Sequence, residues 1–298
     1  MGYTQWGTVD DGAAFSPVGK SVAKLKPGYY DLTVSDGTLF FIPVRSRSDN
    51  LLDFPDSVSK EVLTGITEFW EREERFREYG LPYKRGILLF GPPGSGKTCT
   101  LGLVARDVVS RGGVVINFNP SFFLRAYRAF RDVQPDTHIV VLMEDFETHL
   151  KGASESTILN LLDGVEKLDK IVFLATTNYP EKLESRIINR PSRFDICVRI
   201  AHPGDEMRRV YLESLEKSDD CIDVGLYVKD TDGMSLAHVK ELFVATVVLG
   251  CDYDVTITRL KAMSDKATSL DDDQLPMGGV VGRMVKRNPG PSAWGGII

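Results

Sequence analysis

The chain of 298 residues has few cysteines and no excess of positive charge. Its four cysteines lie far apart without C-x-x-C spacing, which argues against a zinc site or a disulfide framework and favours reduced thiols. The formal net charge is −6 and the pI is near 5.4, so no overall positive field attracts nucleic acid or anionic lipid. This balance still allows a local basic patch.

The sequence shows no long apolar segment, and its first residues do not predict a targeting leader. The longest apolar run, 242–251, is too short to span a bilayer, and the first residues carry neither a basic region nor an apolar stretch. With 42% hydrophobic and 26% charged residues, the composition is that of a globular protein. We therefore expect a cytoplasmic protein without membrane contact, built from one large core and smaller appended units.

A phosphate-binding motif is the strongest feature that is present. Residues 91–98 read GPPGSGKT, which fits the pattern G-x-x-x-x-G-K-T, and they follow an apolar run with the length of a buried strand. Glycine N–H groups and the start of the next helix surround phosphates in such loops, the lysine reaches the β- and γ-phosphate oxygens, and the threonine holds Mg²⁺. The sequence predicts that ATP and Mg²⁺ bind here, through Pro92, Pro93, Gly94, Ser95, Gly96, Lys97, Thr98 and Cys99.

Two carboxylates follow a second predicted strand, where a phosphate-loop ATPase places the acids that hold Mg²⁺ and polarise water. The strand at 138–143 is followed by Glu144 and Asp145, the reverse of the common Asp-Glu order. By position, Glu144 is expected in the magnesium shell together with Thr98, and Asp145 beside the attacking water. An acidic strand end that merely faces solvent is the alternative.

Further candidates lie at the end of the next strand and in the segment after it. Asn178 follows the strand at 171–177, where its amide could bind both water and the γ-phosphate; a turn residue is the alternative. Arg190 and Arg193 lie in the segment NRPSRFD. A guanidinium is always charged and stabilises charge on γ-phosphate oxygens, often from a neighbouring subunit, whereas alone this segment would be interpreted as a solvated basic turn.

The sequence resembles the AAA family of the AAA+ ATPases over about residues 54–260. The resemblance rests on four motifs in this order: the phosphate loop, the carboxylate pair, the Thr-Asn strand end and Arg-Pro-x-Arg-Phe-Asp. The resemblance implies that the chain hydrolyses ATP with Mg²⁺ as a homo-oligomeric ring, expected to be a hexamer. It implies that this ring remodels or translocates a macromolecule, with protein as the leading class. A nucleic-acid motor or loader and a nucleotide-gated scaffold with slow turnover are the alternatives. The implied catalytic residues are Glu144, Asp145, Asn178, Arg190 and Arg193.

Within that family, the Glu-Asp order and the segment LNLLDG at 159–164 are similar to the branch that contains the mitochondrial translocase of folded Rieske protein. That branch carries a transmembrane helix and this sequence shows none, so its membrane location and its substrate are not carried over. The segment 231–238 is similar to the one that replaces the second sensor arginine in the AAA clade. No lid arginine is therefore expected on the nucleotide.

Apolar strands alternate with helical patterns, which predicts an α/β fold with a parallel sheet flanked by helices. The resemblance implies that this fold is an AAA+ core with helices on both faces of the sheet. A hairpin around Asp36-Gly37 predicts a small β-rich N-terminal module at 1–53. The nucleotide-binding core is expected at 54–203, a helical lid at 204–265 and a flexible tail at 266–298.

An aromatic pore loop, which many members of the family carry, has no clear counterpart. The interval 119–136 is short for such a loop. We expect its aromatic residues to form one apolar helix face that packs on the sheet, and a role in a pore is the alternative. The loop 147–155 is the other candidate. The aromatic residues concerned are Phe122, Phe123, Tyr127 and Phe130.

Overall fold

A nine-stranded sheet runs through the computed structural model, which describes residues 4–9, 12–19, 22–44, 58–150, 154–164, 168–183, 193–216 and 222–271. The strands are β1 (Gln5–Val9), β2 (Ala14–Val18), β3 (Gly28–Ser35), β4 (Thr38–Val44), β5 (Lys84–Phe90), β6 (Val114–Asn117), β7 (Ile139–Met143), β8 (Ile171–Thr177) and β9 (Ile196–Arg199). Their order across the sheet is β1-β2-β4-β3-β6-β7-β8-β5-β9.

Helices pack on this sheet and form a separate group after it. Those that accompany the sheet are α1 (Val58–Trp70), α2 (Glu73–Glu78), α3 (Lys97–Ser110), α4 (Phe123–Val133), α5 (Phe146–His149) and α6 (Ser154–Asp163). Those that follow it are α7 (Asp205–Leu215), α8 (Val224–Asp230), α9 (Leu236–Phe243) and α10 (Tyr253–Asp271). A turn of π-helix, Val244–Val248, continues α9.

Five neighbouring strands, in the sheet order β6-β7-β8-β5-β9, pair in parallel, as the apolar runs predicted. Alternate residues of β7 point to opposite faces of the sheet. Ile139 and Val141 join the core that includes α4 and α6, whereas Val140 and Leu142 join the core that includes α1 and α3. Helices thus cover both faces, which confirms the predicted α/β fold.

The N-terminal segment is β-rich, as expected, but its strands extend the central sheet. The hairpin around Asp36 and Gly37 joins β3 to β4, and both residues have the positive φ values, 49° and 75°, that a tight hairpin turn requires. On its other edge, β3 pairs in parallel with β6, with Gly28 opposite Val114. A local alternating pattern predicts a strand but not its partner, so the sequence could not reveal this pairing.

A buried amide ties the N-terminal strands to the core. The Oε1 of Gln134, which is 3% exposed, accepts hydrogen bonds from Trp6 Nε1 at 2.9 Å and from the backbone N–H of Leu25 at 2.6 Å. Its Nε2 donates to Thr137 Oγ1 at 3.1 Å. Trp6 is fully buried and packs edge-on against Phe41. The amide therefore satisfies polar groups that water does not reach.

Two helices precede the phosphate-loop strand, because the helix is interrupted between the end of α1 at Trp70 and the start of α2 at Glu73. The chain then turns at Gly80, which has a φ of 63°. The aromatic residues of α4 pack on the sheet, with Phe123, Tyr127 and Phe130 all buried, which supports the apolar-face interpretation over a pore role.

The four helices α7–α10, called the lid below, have an apolar core of their own. Leu212, Val239 and Leu242 are fully buried in it, apart from the two cores of the sheet. Helix α10 extends to Asp271, so the segment 266–271, expected to belong to the tail, is helical. The rest of the predicted tail, 272–298, lies outside the described residues. None of the helices that the structure describes has the length and apolarity needed to cross a membrane.

Replacing Gln134 tests the link between the N-terminal strands and the core. In Gln134→Ala, the indole N–H of Trp6 and the N–H of Leu25 lose their acceptor in the interior, which costs about 1–3 kcal/mol for each group. We expect a lower free energy of unfolding in urea. Asp132→Ala, an exposed change in the last turn of α4 just before Gln134, is the matched control and should leave the free energy of unfolding unchanged. Equal stability of the two variants would contradict this role for Gln134.

Candidate active site

The phosphate loop joins β5 to α3. It is in close contact with the lid and with the end of β9, the strand that precedes the lid. At Gly94 the backbone is left-handed, with a φ of 73°, and an added Cβ would lie 2.7 Å from Ser235 Oγ. At Gly91, where φ is 156°, a Cβ would collide with the carbonyl oxygen of Ile200, which directly follows β9. Both positions therefore require glycine for conformation and for space.

Lys97 lies at the start of α3 with its side chain buried in the loop. Its Nζ donates to the carbonyl oxygens of Gly91 and Pro92, each at 2.7 Å, and lies 3.4 Å from Ser95 Oγ. Burial lowers the pKa of Lys97 to about 8, and the nearby carboxylate of Asp145 opposes this shift. The ammonium thus lies among loop oxygens that phosphate oxygens could replace.

Thr98 and Glu144 meet at the mouth of the loop. The hydroxyl of Thr98 donates to Glu144 Oε2 at 3.2 Å. Mg²⁺ is usually held by one or two carboxylates together with substrate phosphates and water, and in phosphate loops the threonine hydroxyl joins them. The donor set present therefore fits Mg²⁺, with Thr98 and Glu144 as the residues that would hold it.

Asp145 is held in an unusual conformation by the neighbouring strand. Its φ is 46°, in the left-handed region that few residues other than glycine adopt. Its backbone N–H donates to Thr176 Oγ1 at 3.2 Å, and its Oδ1 accepts from Asn178 Nδ2 at 3.1 Å. The two contacts direct an exposed carboxylate beside the amide that the sequence singled out.

The loop, the ends of β7 and β8 and the lid enclose a cleft of ≈ 460 Å³, a size typical of ligand sites. Most of the predicted nucleotide-binding residues line it, whereas Pro92 and Ser95 contact Lys97 instead. Sequence reasoning missed several lining residues from the lid, because their approach to the loop is a contact between distant segments. The lining residues are Pro93, Gly94, Gly96, Lys97, Thr98, Cys99, Asp145, Thr176, Asn178, Tyr211, Leu236, Ala237 and Lys240.

Arg193 forms a buried ion pair in the structure. Its guanidinium is 5% exposed and forms two parallel hydrogen bonds with Asp163, from Nε to Oδ1 and from one terminal nitrogen to Oδ2, both at 2.8 Å. Both hydrogen bonds lie within the same chain, so this guanidinium is paired with Asp163. Arg190, the other candidate, lies outside the described residues.

Comparison with known proteins places this site in a family. Residues 87–202, from within β5 to just beyond β9, match the family described as "ATPase family associated with various cellular activities (AAA)". The chain is similar to the probable mitochondrial chaperone bcs1 of Schizosaccharomyces pombe, with 30% identity over 76% of this chain and 53% of that protein. It is also similar to the human ATP-dependent zinc metalloprotease YME1L1, with 29% identity over 62% of this chain and 26% of that protein.

A third relative matches over a larger share of both chains. The proteasome-activating nucleotidase of Sulfurisphaera tokodaii is 26% identical over 84% of this chain and 76% of its own length. By contrast, the chain spans about half of the bcs1 relative and about a quarter of YME1L1. The matched residues contain the phosphate loop and both carboxylates, so this part of the chain is an ATPase domain of the AAA family.

Proposed function

We propose that this ATPase binds ATP with Mg²⁺, assembles into a homo-oligomeric ring, expected to be a hexamer, and uses hydrolysis to remodel or translocate a protein. The names of its relatives support the choice of protein, since they describe a chaperone, metalloproteases and a nucleotidase that activates the proteasome. A nucleic-acid motor gains no support from a chain with net charge −6. The cytoplasmic location stays a prediction from the sequence.

The observation that carries the proposed mechanism is that each carboxylate has a different partner. Glu144 accepts from Thr98, the residue expected to hold Mg²⁺, whereas Asp145 accepts from Asn178. Magnesium bound by Thr98 and Glu144 would neutralise charge on the phosphate oxygens. In this reversed Glu-Asp order, Glu144 would hold the metal ion and Asp145 would polarise the attacking water.

The remaining steps fall to the other residues of the cleft. Asp145 orients and polarises a water for in-line attack on the γ-phosphorus, and the bond from that phosphorus to the bridging oxygen of ADP breaks. Asn178 holds the carboxylate of Asp145 and lies where its amide also reaches the γ-phosphate. Lys97 leaves the loop carbonyls for the β- and γ-phosphate oxygens, where its charge stabilises the transition state.

An arginine from a neighbouring subunit would complete this site. We assign that role to Arg190, because Arg193 is already paired with Asp163. An arginine supplied from another subunit contributes on the order of 10³ to 10⁵ in turnover, so an isolated subunit would be nearly inactive. The proposed ring is thus a requirement of the chemistry and not only of the substrate.

Separate substitutions of the two carboxylates test the mechanism. Asp145→Asn should bind ATP as tightly as the wild type and hydrolyse it slowly, because the water loses its polarising group. Glu144→Gln should instead raise the magnesium concentration needed for half-maximal activity. Calorimetry with ATP and steady-state ATPase assays over a magnesium series measure both effects. The opposite pattern would assign the metal to Asp145 and contradict the reversed order.

Mixing two inactive subunits tests the shared site. Lys97→Ala has intact arginines and a defective pocket, whereas Arg190→Ala has the converse, so their mixture should regain part of the ATPase activity that each lacks. Activity per wild-type subunit should also rise with protein concentration. Arg193→Ala is the contrasting variant: loss of the buried pair with Asp163 should lower stability by about 3–5 kcal/mol. Two results together would contradict the ring: a mixture that stays inactive, and a wild-type activity per subunit that is constant down to a concentration at which the protein is monomeric.

Stimulation of the ATPase separates the classes of substrate. A permanently unfolded protein should raise the turnover of the wild type, whereas single-stranded or double-stranded DNA should not. Salt-dependent stimulation by DNA alone would favour a nucleic-acid motor. Equal activity with and without either polymer would favour a nucleotide-gated scaffold. The Asp145→Asn variant, retaining ATP, should capture the unfolded protein in a pull-down that the wild type releases.

A further inference from the structure

The first turn of α9 rests directly on the phosphate loop. Ser235 caps this helix by accepting a hydrogen bond from the N–H of His238, and its Oγ lies beside Gly94. A Cβ placed on Gly94 would lie 3.6 Å from the Cβ of Ala237, which is ordinary van der Waals contact. The lid therefore presents the beginning of α9 to the loop that surrounds the phosphates.

Lys240 lies one turn further along the same side of α9. Leu236, Ala237 and Lys240 all line the nucleotide cleft, and their spacing of three and four residues places them on one face of the helix. Side chains on a helix lean towards its N-terminus. The stem of Lys240 therefore leans back over the turn that touches Gly94, on the side of α9 that lines the cleft.

The charge of Lys240 has no partner within the part of the chain that the structure describes. The residue is exposed, whereas another lid lysine, Lys261, lies 3.5 Å from a carboxylate oxygen of Asp230. Among the residues that line the cleft, Lys97 is the other lysine, and its ammonium is hydrogen-bonded to the loop. The anionic part of a nucleotide is its phosphate chain, which is the natural partner of an unpaired ammonium at this place.

We propose that Lys240 binds the phosphate chain of the nucleotide and adds, from the lid, a second positive charge to that of Lys97. The sequence predicted that no lid arginine contacts the nucleotide, and a lysine one turn into α9 supplies the cation instead. This assignment depends on ATP binding in the phosphate loop. It requires neither the proposed ring nor a protein substrate.

Calorimetric titration of the full chain with ATP, ADP and adenosine tests the assignment. Lys240→Met removes the charge and keeps an unbranched stem, so the affinity for ATP should fall about tenfold, as expected for one charge-assisted contact. Lys240→Arg keeps the charge and should lose much less. Lys229→Met is the matched control, because Lys229 is an exposed lid residue that does not line the cleft. Its affinity for ATP should equal that of the wild type.

Two readouts separate a phosphate contact from a packing role. Adenosine, which carries no phosphate, should bind Lys240→Met and the wild type equally. Rising salt should weaken ATP binding less in Lys240→Met than in the wild type, since one screened charge pair is gone. Unchanged affinity of Lys240→Met for ATP would overturn the assignment. An equal loss for ATP and adenosine would also overturn it, because the stem would then be packing on the base.

Discussion

The close approach of the lid to the phosphate loop is the constraint on which the nucleotide site depends. Ser235 fits against Gly94 only because that residue has no side chain, and the Ile200 carbonyl fits against Gly91 for the same reason. A Cβ at either glycine would displace the lid or the strand that leads to it. In this protein the glycines of the motif serve the packing of the lid as well as the access of phosphates.

The catalytic end of the cleft depends on the register of two parallel strands. Met143 at the end of β7 pairs with Ala175 in β8, so the residues that follow both strands meet at one edge of the sheet. Asp145 adopts its left-handed conformation there, at a cost that its hydrogen bonds to Thr176 and Asn178 help to offset. A slip of one residue in the register would turn Asn178 to the other face and remove the group that positions the carboxylate.

Phosphate chemistry made much of this site predictable, because it demands particular residue types at fixed spacing in short segments. The sequence named Lys97, Thr98 and both carboxylates, and the fold brings them together around one cleft. What it missed depends on contacts between distant segments. The segment NRPSRFD offers two arginines, but only the position of Asp163 decides that Arg193 is buried. The pairing of β3 with β6 was missed for the same reason.

A phosphate contact from Lys240 would make nucleotide affinity depend on the position of the lid. Lys97 belongs to the core and is held by loop carbonyls, so its charge is in place wherever the lid lies. Lys240 shares α9 with Leu236 and Ala237, and a lid that moved off the loop would carry all three away together. A ligand shifts an equilibrium only by its difference in affinity between the two states. Bound nucleotide would therefore favour the closed lid by the free energy of the Lys240 contact together with that of the other contacts between α9 and the nucleotide. Hydrolysis would weaken this preference only to the extent that Lys240 contacts the phosphate that leaves.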